Sequence, residues 1–234
     1  MLSRSSVSVL MMLVLVLMGC SDDDSITAPG KDLAFVRVAH LSPDAPAVDV
    51  WVDGERVLEN VPFRAFSAYL SMPAGSRQVQ VTPAGASTPV VIDATLDVGS
   101  GTYYTVAATA LLTSIAPTVL VDDPIADQNG AKIRFIHAGP DAPAVDITLT
   151  DGTILFGNVS FSEAKGFITT AGGSYDLQVR LAGTDSVVLT FNDVLLENGT
   201  IYSVFASGLI SGGSLGAIVA VDAPGDGSTA VSLP

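Results

Sequence analysis

The chain has 234 residues, of which 48% are apolar, 6% are aromatic and 15% are charged. This length predicts one large domain or two small ones, with ample apolar material for packed cores. The formal net charge is −14 at pH 7, and a polyanion repels phosphate backbones, so nucleic-acid binding is not expected.

The first nineteen residues have the pattern of a secretory signal. Met1–Arg4 carries one positive charge, and the apolar run Val7–Met18 is too short to cross a bilayer. The run ends at Gly19, and the next residue, Cys20, is the only cysteine, so no internal disulfide can form. A small residue before a cysteine resembles the bacterial lipoprotein signal. Residues 1–19 are therefore the expected signal peptide and Cys20 the expected lipidation site; the alternative is an ordinary secretory signal with a chance cysteine.

Residues 20–31 are polar and acidic, which indicates a flexible tether behind the lipidated cysteine. The resemblance to lipoproteins implies that the membrane is a partner through the N-terminal lipid. An aspartate directly after the cysteine favours retention at the inner membrane of double-membrane bacteria, whereas this chain has Ser21 there. The expected location is the cell envelope, at the outer membrane if the host has two membranes.

A seven-residue motif occurs twice in the chain: Pro43–Asp49 recurs unchanged as Pro140–Asp146. Such a match predicts a tandem duplication. We expect repeat 1 at 32–123, a linker at 124–130, repeat 2 at 131–222 and a C-terminal tail at 223–234. The flanking matches are Arg37 and His40 with Arg134 and His137, Asp53-Gly54 with Asp151-Gly152, and Val121-Asp122 with Val221-Asp222.

Within each repeat the pattern favours strands. Val36 and Val38 alternate with polar or small residues, as do Val48 and Val50, and Asp53-Gly54 predicts a tight hairpin turn. No sustained helical period is present in the mature chain. We predict an all-β protein of two tandem immunoglobulin-like β-sandwich domains, each with about seven or eight strands; a small barrel is the alternative. Further strand candidates in repeat 1 are Arg56–Val61, Phe66–Met72, Arg77–Thr82, Val90–Val98, Thr102–Leu112 and Thr118–Asp122.

The Pro-Asp-Ala-Pro-Ala-Val-Asp core, preceded by His and followed by Asp-Gly, resembles the bacterial and archaeal domain of unknown function 4397. That family often occurs in tandem on secreted or surface proteins, and each repeat has the length of one domain. The family has no established activity, so the resemblance implies architecture and location without a mechanism.

The repeated loop is the sharpest candidate site. Its prolines restrict the backbone, and Asp44 and Asp141 are expected to form Asx-turns with nearby N–H groups. His40 and His137 are the only histidines, and we expect each to be satisfied by its own loop at the rim of the core. A loop that captures a glycan or a divalent cation is the alternative.

Calcium would need six or more oxygen ligands. The candidates are Asp44, Asp49 and Asp53 in repeat 1, but their spacing matches no calcium loop, so no metal and no cofactor is predicted. Arg37 and Asp49 are instead expected to form a cross-strand ion pair. The corresponding residues of repeat 2 are Asp141, Asp146 and Asp151 for calcium and Arg134 with Asp146 for the ion pair.

Trp51 is the only tryptophan and faces away from the valines of its strand, and Thr148 replaces it in repeat 2. It is a candidate for sugar stacking, although a packed aromatic is the preferred interpretation. No nucleophile elbow occurs, and Ser42, near His40, is Gly139 in repeat 2, so no enzyme is predicted. The expected function is a non-catalytic envelope lipoprotein that displays two modules for surface interaction, adhesion or spacing, with an unknown protein or glycan partner.

Overall fold

A computed structural model describes residues 32–222 and 230–232, and these residues form almost only β-strands. The predictions for the signal peptide, Cys20, the tether and most of the C-terminal tail concern residues outside the described part. Repeat 1 contains β1 (Leu33–His40), β2 (Val48–Val52), β3 (Glu55–Val61), β4 (Leu70–Pro73), β5 (Gly75–Pro83), β6 (Ile92–Val98), β7 (Tyr103–Thr109) and β8 (Ala116–Asp122). Repeat 2 contains β9 (Ala131–Ala138), β10 (Val145–Leu149), β11 (Ile154–Val159), β12 (Ile168–Thr170), β13 (Gly173–Leu181), β14 (Val187–Leu196), β15 (Ile201–Ser207) and β16 (Gly216–Val221). A short strand of the C-terminal tail, β17 (Ala230–Ser232), pairs with β16.

Each repeat folds into two sheets. In repeat 1 the outer sheet has the order β3-β2-β5-β6 and the inner sheet β4-β1-β7-β8. In repeat 2 the outer sheet has the order β11-β10-β13-β14 and the inner sheet β12-β9-β15-β16-β17. Neighbouring strands are antiparallel except for the parallel pairs β1/β7 and β9/β15. The prediction of an all-β protein with two tandem β-sandwiches is confirmed, and the barrel alternative is not adopted.

The core of each sandwich comes from strand alternation. In β1, Ala34 and Val36 face the outer sheet of repeat 1, whereas Ala39 faces the opposite way. Valines of β2 fill the same core in repeat 1, and larger side chains such as Phe156 and Phe191 fill the core of repeat 2.

A third apolar cluster joins the two inner sheets face to face, so the protein is a stack of four layers. This arrangement buries the inner strands on both faces, which explains why they read as nearly continuous apolar runs. The cluster contains Ala39, Leu41, Ala107 and Leu120 from repeat 1 and Ile136, Ala138, Phe205, Ile218 and Ala220 from repeat 2.

The hairpin predicted at Asp53-Gly54 is present. Both residues have positive φ (50° and 83°), and Val52 pairs with Glu55, as a two-residue turn of type I′ requires. The predicted strand Phe66–Met72 differs: its regular part is Leu70–Pro73, and Phe66 forms only an isolated bridge with Ala39.

Candidate functional site

Each histidine holds the proline-rich loop of its own repeat. The Nε2–H group of His40 donates to the carbonyl oxygen of Pro46 at 2.9 Å, and that of His137 donates to Pro143 at 3.0 Å. A carbonyl can only accept, so Nε2 must carry the proton in both rings. Both side chains are fully buried, and this desolvation lowers the pKa of each below its ordinary value.

The second ring nitrogen differs between the repeats. Nδ1 of His137 accepts a hydrogen bond from the Gly139 amide at 3.2 Å. Ser42 occupies the equivalent position in repeat 1, and within residues 32–222 neither its Oγ nor Nδ1 of His40 has a hydrogen-bond partner. Both groups are sealed from solvent, so a substrate outside the protein cannot reach them.

Asp44 and Asp141 hold a different loop from the one that was expected. The carboxylate of Asp44 accepts a hydrogen bond from Leu112 N at 2.7 Å, in the connection between β7 and β8. Asp141 accepts from Ile210 N at 2.8 Å and from both Ser211 N and Ser211 Oγ, at 2.9 and 2.7 Å, in the connection between β15 and β16. Each aspartate was expected to form an Asx-turn within its own proline-rich loop, but it instead accepts hydrogen bonds from a neighbouring loop.

Asp49 on β2 and Asp146 on β10 are buried carboxylates that join their own strand to the neighbouring strand, β3 or β11, and to the loop after β5 or β13. Asp49 accepts from Asn60 N at 2.8 Å and from Gly85 N at 3.1 Å, and Arg56 pairs with it at 3.1 Å. The bond from the Asn60 amide is the main cause that lowers the pKa of Asp49. The equivalent bonds of Asp146 come from Asn158 N at 2.6 Å and Gly183 N at 2.8 Å.

The expected ion pair between Arg37 and Asp49 is not formed, and its counterpart between Arg134 and Asp146 is absent too. The reason lies in the topology. β1 and β2 belong to different sheets, so Arg37 and Asp49 are never cross-strand neighbours.

Asp53 and Asp151 support turns. Asp53 pairs with Arg77 at 2.9 Å and accepts from Gln78 N, and Asp151 accepts from Thr153 N at 2.9 Å. The candidate calcium ligands therefore bind separate partners. Among the described residues, no group of three or more His, Cys, Asp or Glu side chains is placed to hold a metal ion.

Arg37 and Arg134 cross the interface between the repeats reciprocally. Nη2 of Arg37 donates to Asp222 of repeat 2 at 2.6 Å, and Nη2 of Arg134 pairs with Asp122 of repeat 1. Nη1 of each arginine also donates to the carbonyl before that aspartate, at 3.4 Å for Val221 and 3.0 Å for Val121. This exchange has the self-complementary form of a twofold interface.

Hydroxyl groups complete this buried network. Thr105 donates to Asp122 at 2.7 Å and accepts from Arg37 at 2.8 Å, and Ser203 has the equivalent place between Arg134 and Asp222. Desolvation raises the pKa of Asp222 even though both arginines oppose it. We call Arg37, Thr105, Asp122, Arg134, Ser203 and Asp222 the interface clasp.

Sequence reasoning missed the clasp, although its signal was visible. Arg37 and Arg134 matched in the duplication, and so did Asp122 and Asp222. The alignment of the two repeats was used only to define their bounds. Nothing in it indicated that the arginine of each repeat pairs with the aspartate of the other.

Trp51 lies on the outer face of the outer sheet of repeat 1. Its indole Nε1–H donates to Thr82 Oγ1 at 3.0 Å, and the guanidinium of Arg56 lies 5.8 Å from the ring centroid. A groove of about 480 Å³ runs beside it, lined by Trp51, Arg56, Asp49 and residues 85–87.

Comparisons with known proteins identify a family of unknown function. No curated protein matches the chain. In residues 32–222 and 230–232, no helix is long and apolar enough to span a membrane. A family model described as a domain of unknown function, DUF4397, matches residues 34–148 and again 131–233. With most of its length matched by two overlapping copies of that model, the chain belongs to the DUF4397 family.

Proposed function

We propose that this protein is a non-catalytic cell-envelope lipoprotein that displays two β-sandwiches as one rigid unit for surface interaction, adhesion or spacing. The signal-like segment 1–19 and Cys20 support the lipid anchor. Two or more acyl chains would hold the chain stably at the membrane, since each buried CH₂ contributes about 0.8 kcal/mol.

The interface clasp is the main observation that supports a rigid unit of two repeats. Four charged side chains, two from each repeat, are almost fully buried between the inner sheets and balance one another. Tandem domains with a small polar interface move independently. Here an apolar cluster between the same two inner sheets accompanies the clasp, and any reorientation of the repeats would expose the buried charges at high cost.

The repeated loops give less support to the alternative, a lipoprotein that captures a glycan or a divalent cation through them. His40 and His137 donate to carbonyls of their own loops, and Asp44 and Asp141 accept from backbone amides. A ligand at these groups would have to displace hydrogen bonds that hold the fold together.

Lipidation and location can be tested together in a double-membrane bacterial host. We expect the full chain to incorporate labelled palmitate and to fractionate with the outer membrane, and Cys20→Ala to lose both properties. Ser21→Asp is the matched control, because it should keep the label and move the protein to the inner membrane. An unlabelled wild-type chain, or a Cys20→Ala variant that keeps its label, would refute the anchor.

A further inference from the structure

We infer that the groove beside Trp51 binds a neutral saccharide, with one sugar ring packed against the indole. This inference names the partner chemistry of the proposed surface module and rests on that proposed role. It concerns repeat 1 alone, because repeat 2 has Thr148 and Ile154 where repeat 1 has Trp51 and Arg56.

The indole is held in a fixed orientation. Its Nε1–H bond to Thr82 and the guanidinium of Arg56, 5.8 Å from the ring centroid, restrain it. A preoriented aromatic ring loses little conformational entropy when a ligand packs on it. The ring is half-buried, so part of it lines the open groove.

Repeat 2 shows that the fold does not need this tryptophan. In repeat 1, Trp51 pairs across the sheet with Arg56 and Gln80; in repeat 2, Thr148 takes the place of Trp51 between Ile154 and Gln178. Thr148 is 2% exposed, whereas Ile154 is 58% exposed, and the sheet forms with the same register. The Trp51–Arg56 pair is therefore an addition to the shared fold rather than a part of it.

The charges at the groove favour a neutral ligand. Arg56 is its only cation, and it is already paired with Asp49 at 3.1 Å and with Glu59 at 3.5 Å. With two carboxylates around one guanidinium, and a net charge of −14 on the chain, an anionic ligand would be repelled. Nucleotides and acidic sugars are disfavoured for this reason.

The groove offers what a polyol requires. A pyranose presents an apolar C–H face, which suits an aromatic surface, and a rim of hydroxyls, which need donors and acceptors. The exposed part of Arg56 supplies donors beside the ring, and the Ser87 hydroxyl can both donate and accept; the backbone amides of Gly85 and Ala86 are already bonded to Asp49 and Pro83. The volume of about 480 Å³ lies within the range of small-molecule sites.

Trp51 is the only tryptophan, so the intrinsic fluorescence of the full chain reports on the groove directly. The test uses the mature chain with Cys20→Ser, titrated with neutral oligosaccharides of glucose, mannose, galactose and N-acetylglucosamine, and with polygalacturonate as an anionic probe. We expect a saturable change in emission with at least one neutral oligosaccharide and none with polygalacturonate.

Two variants bring the residues of repeat 2 into repeat 1. Arg56→Ile keeps the fluorophore, and we expect it to weaken binding at least tenfold. Trp51→Thr, followed by calorimetry, should abolish binding. Thr148→Ser in repeat 2 is the control and should bind like the wild type.

No saturable signal with any neutral oligosaccharide at millimolar concentration would overturn the inference, and so would binding of polygalacturonate alone. Unchanged affinity in a folded Arg56→Ile variant would place the sugar elsewhere. Because these titrations use a chain without the lipid, their failure leaves the proposed anchor intact. Equally, a failed palmitate experiment leaves the saccharide site intact.

Discussion

Arg37 and Asp222 stand 185 residues apart in the chain and form a 2.6 Å ion pair between the two inner sheets. Arg134 and Asp122 form the reciprocal pair. Each repeat thus supplies the arginine for the aspartate of the other, and Arg134 also makes a longer contact, at 3.5 Å, with Asp222 of its own repeat. The duplication therefore produces one body held together from both sides.

Removal of one carboxylate from the clasp should be severely destabilising. We expect Asp222→Ala to lower the free energy of unfolding by about 3–5 kcal/mol, because it leaves the buried Arg37 without a counter-charge. Urea denaturation measures this. Asp185→Ala is the control, since it breaks an exposed ion pair with Arg180 and should cost below about 1 kcal/mol. Equal costs for the two variants would refute the buried role of Asp222.

The two repeats should unfold together. Phe205 is fully buried in the apolar cluster between the inner sheets, with its ring centroid 5.1 Å from that of Phe66 in repeat 1. We expect one calorimetric transition for the wild type. Phe205→Ala should lose about 3–5 kcal/mol and separate the transition into two, because the cavity weakens the contact between repeats.

Phe191→Ala serves as the comparison, since Phe191 belongs to the core of repeat 2 alone. It should lower the stability of repeat 2 without removing the cluster between the repeats. Two resolved transitions in the wild type would contradict the rigid unit.

The histidines should make stability depend on pH. Burial lowers the pKa of His40 and His137 in the folded protein, so the unfolded chain takes up protons first as the pH falls. Their contribution is complete above pH 6.5, the ordinary histidine value, and is lost progressively below it. We expect His40→Gln with His137→Gln to flatten the dependence between pH 7 and pH 5, as measured by urea midpoints. If the double variant kept the wild-type dependence of the urea midpoint on pH, the loss of stability at low pH would come from groups other than the histidines.

Asp141 should matter more than Asp44. Asp141 accepts three hydrogen bonds from the connection between β15 and β16, whereas Asp44 accepts one from Leu112. A net contribution of about 1 kcal/mol per bond predicts a clearly larger loss for Asp141→Ala than for Asp44→Ala. Thermal unfolding of the two variants provides the comparison, and equal midpoints would refute the difference.

Calcium should leave the unfolding midpoint unchanged. Asp44, Asp49 and Asp53 each bind a separate partner in the structure, so no cluster of free oxygens is offered to the ion. Thermal unfolding with added calcium and with a chelator tests this. An increase of several degrees in the unfolding midpoint with calcium would contradict this prediction and indicate a calcium site.

The sequence alone was sufficient for the repeat register, the β class and the tight turn at Asp53-Gly54. These features depend on local properties: strand alternation, β-branched composition and the need for positive φ at the turn. The structural role of His40 was also predictable, because a buried imidazole needs a partner and its own loop was near. The strand Phe66–Met72 was placed too early, because only Leu70–Pro73 finds a regular partner in β1.

Only the tertiary structure decided which charges meet. Arg37 was assigned to Asp49 because their strands were expected to pair with both side chains on one face. However, β1 and β2 enter different sheets, and the inner sheet of repeat 1 faces repeat 2. Strand alternation predicts which face of a sheet a side chain lies on, but it does not predict what covers that face. The reciprocal clasp and the open groove beside Trp51 both follow from which sheet faces another layer and which faces solvent, and packing of the whole chain determines that.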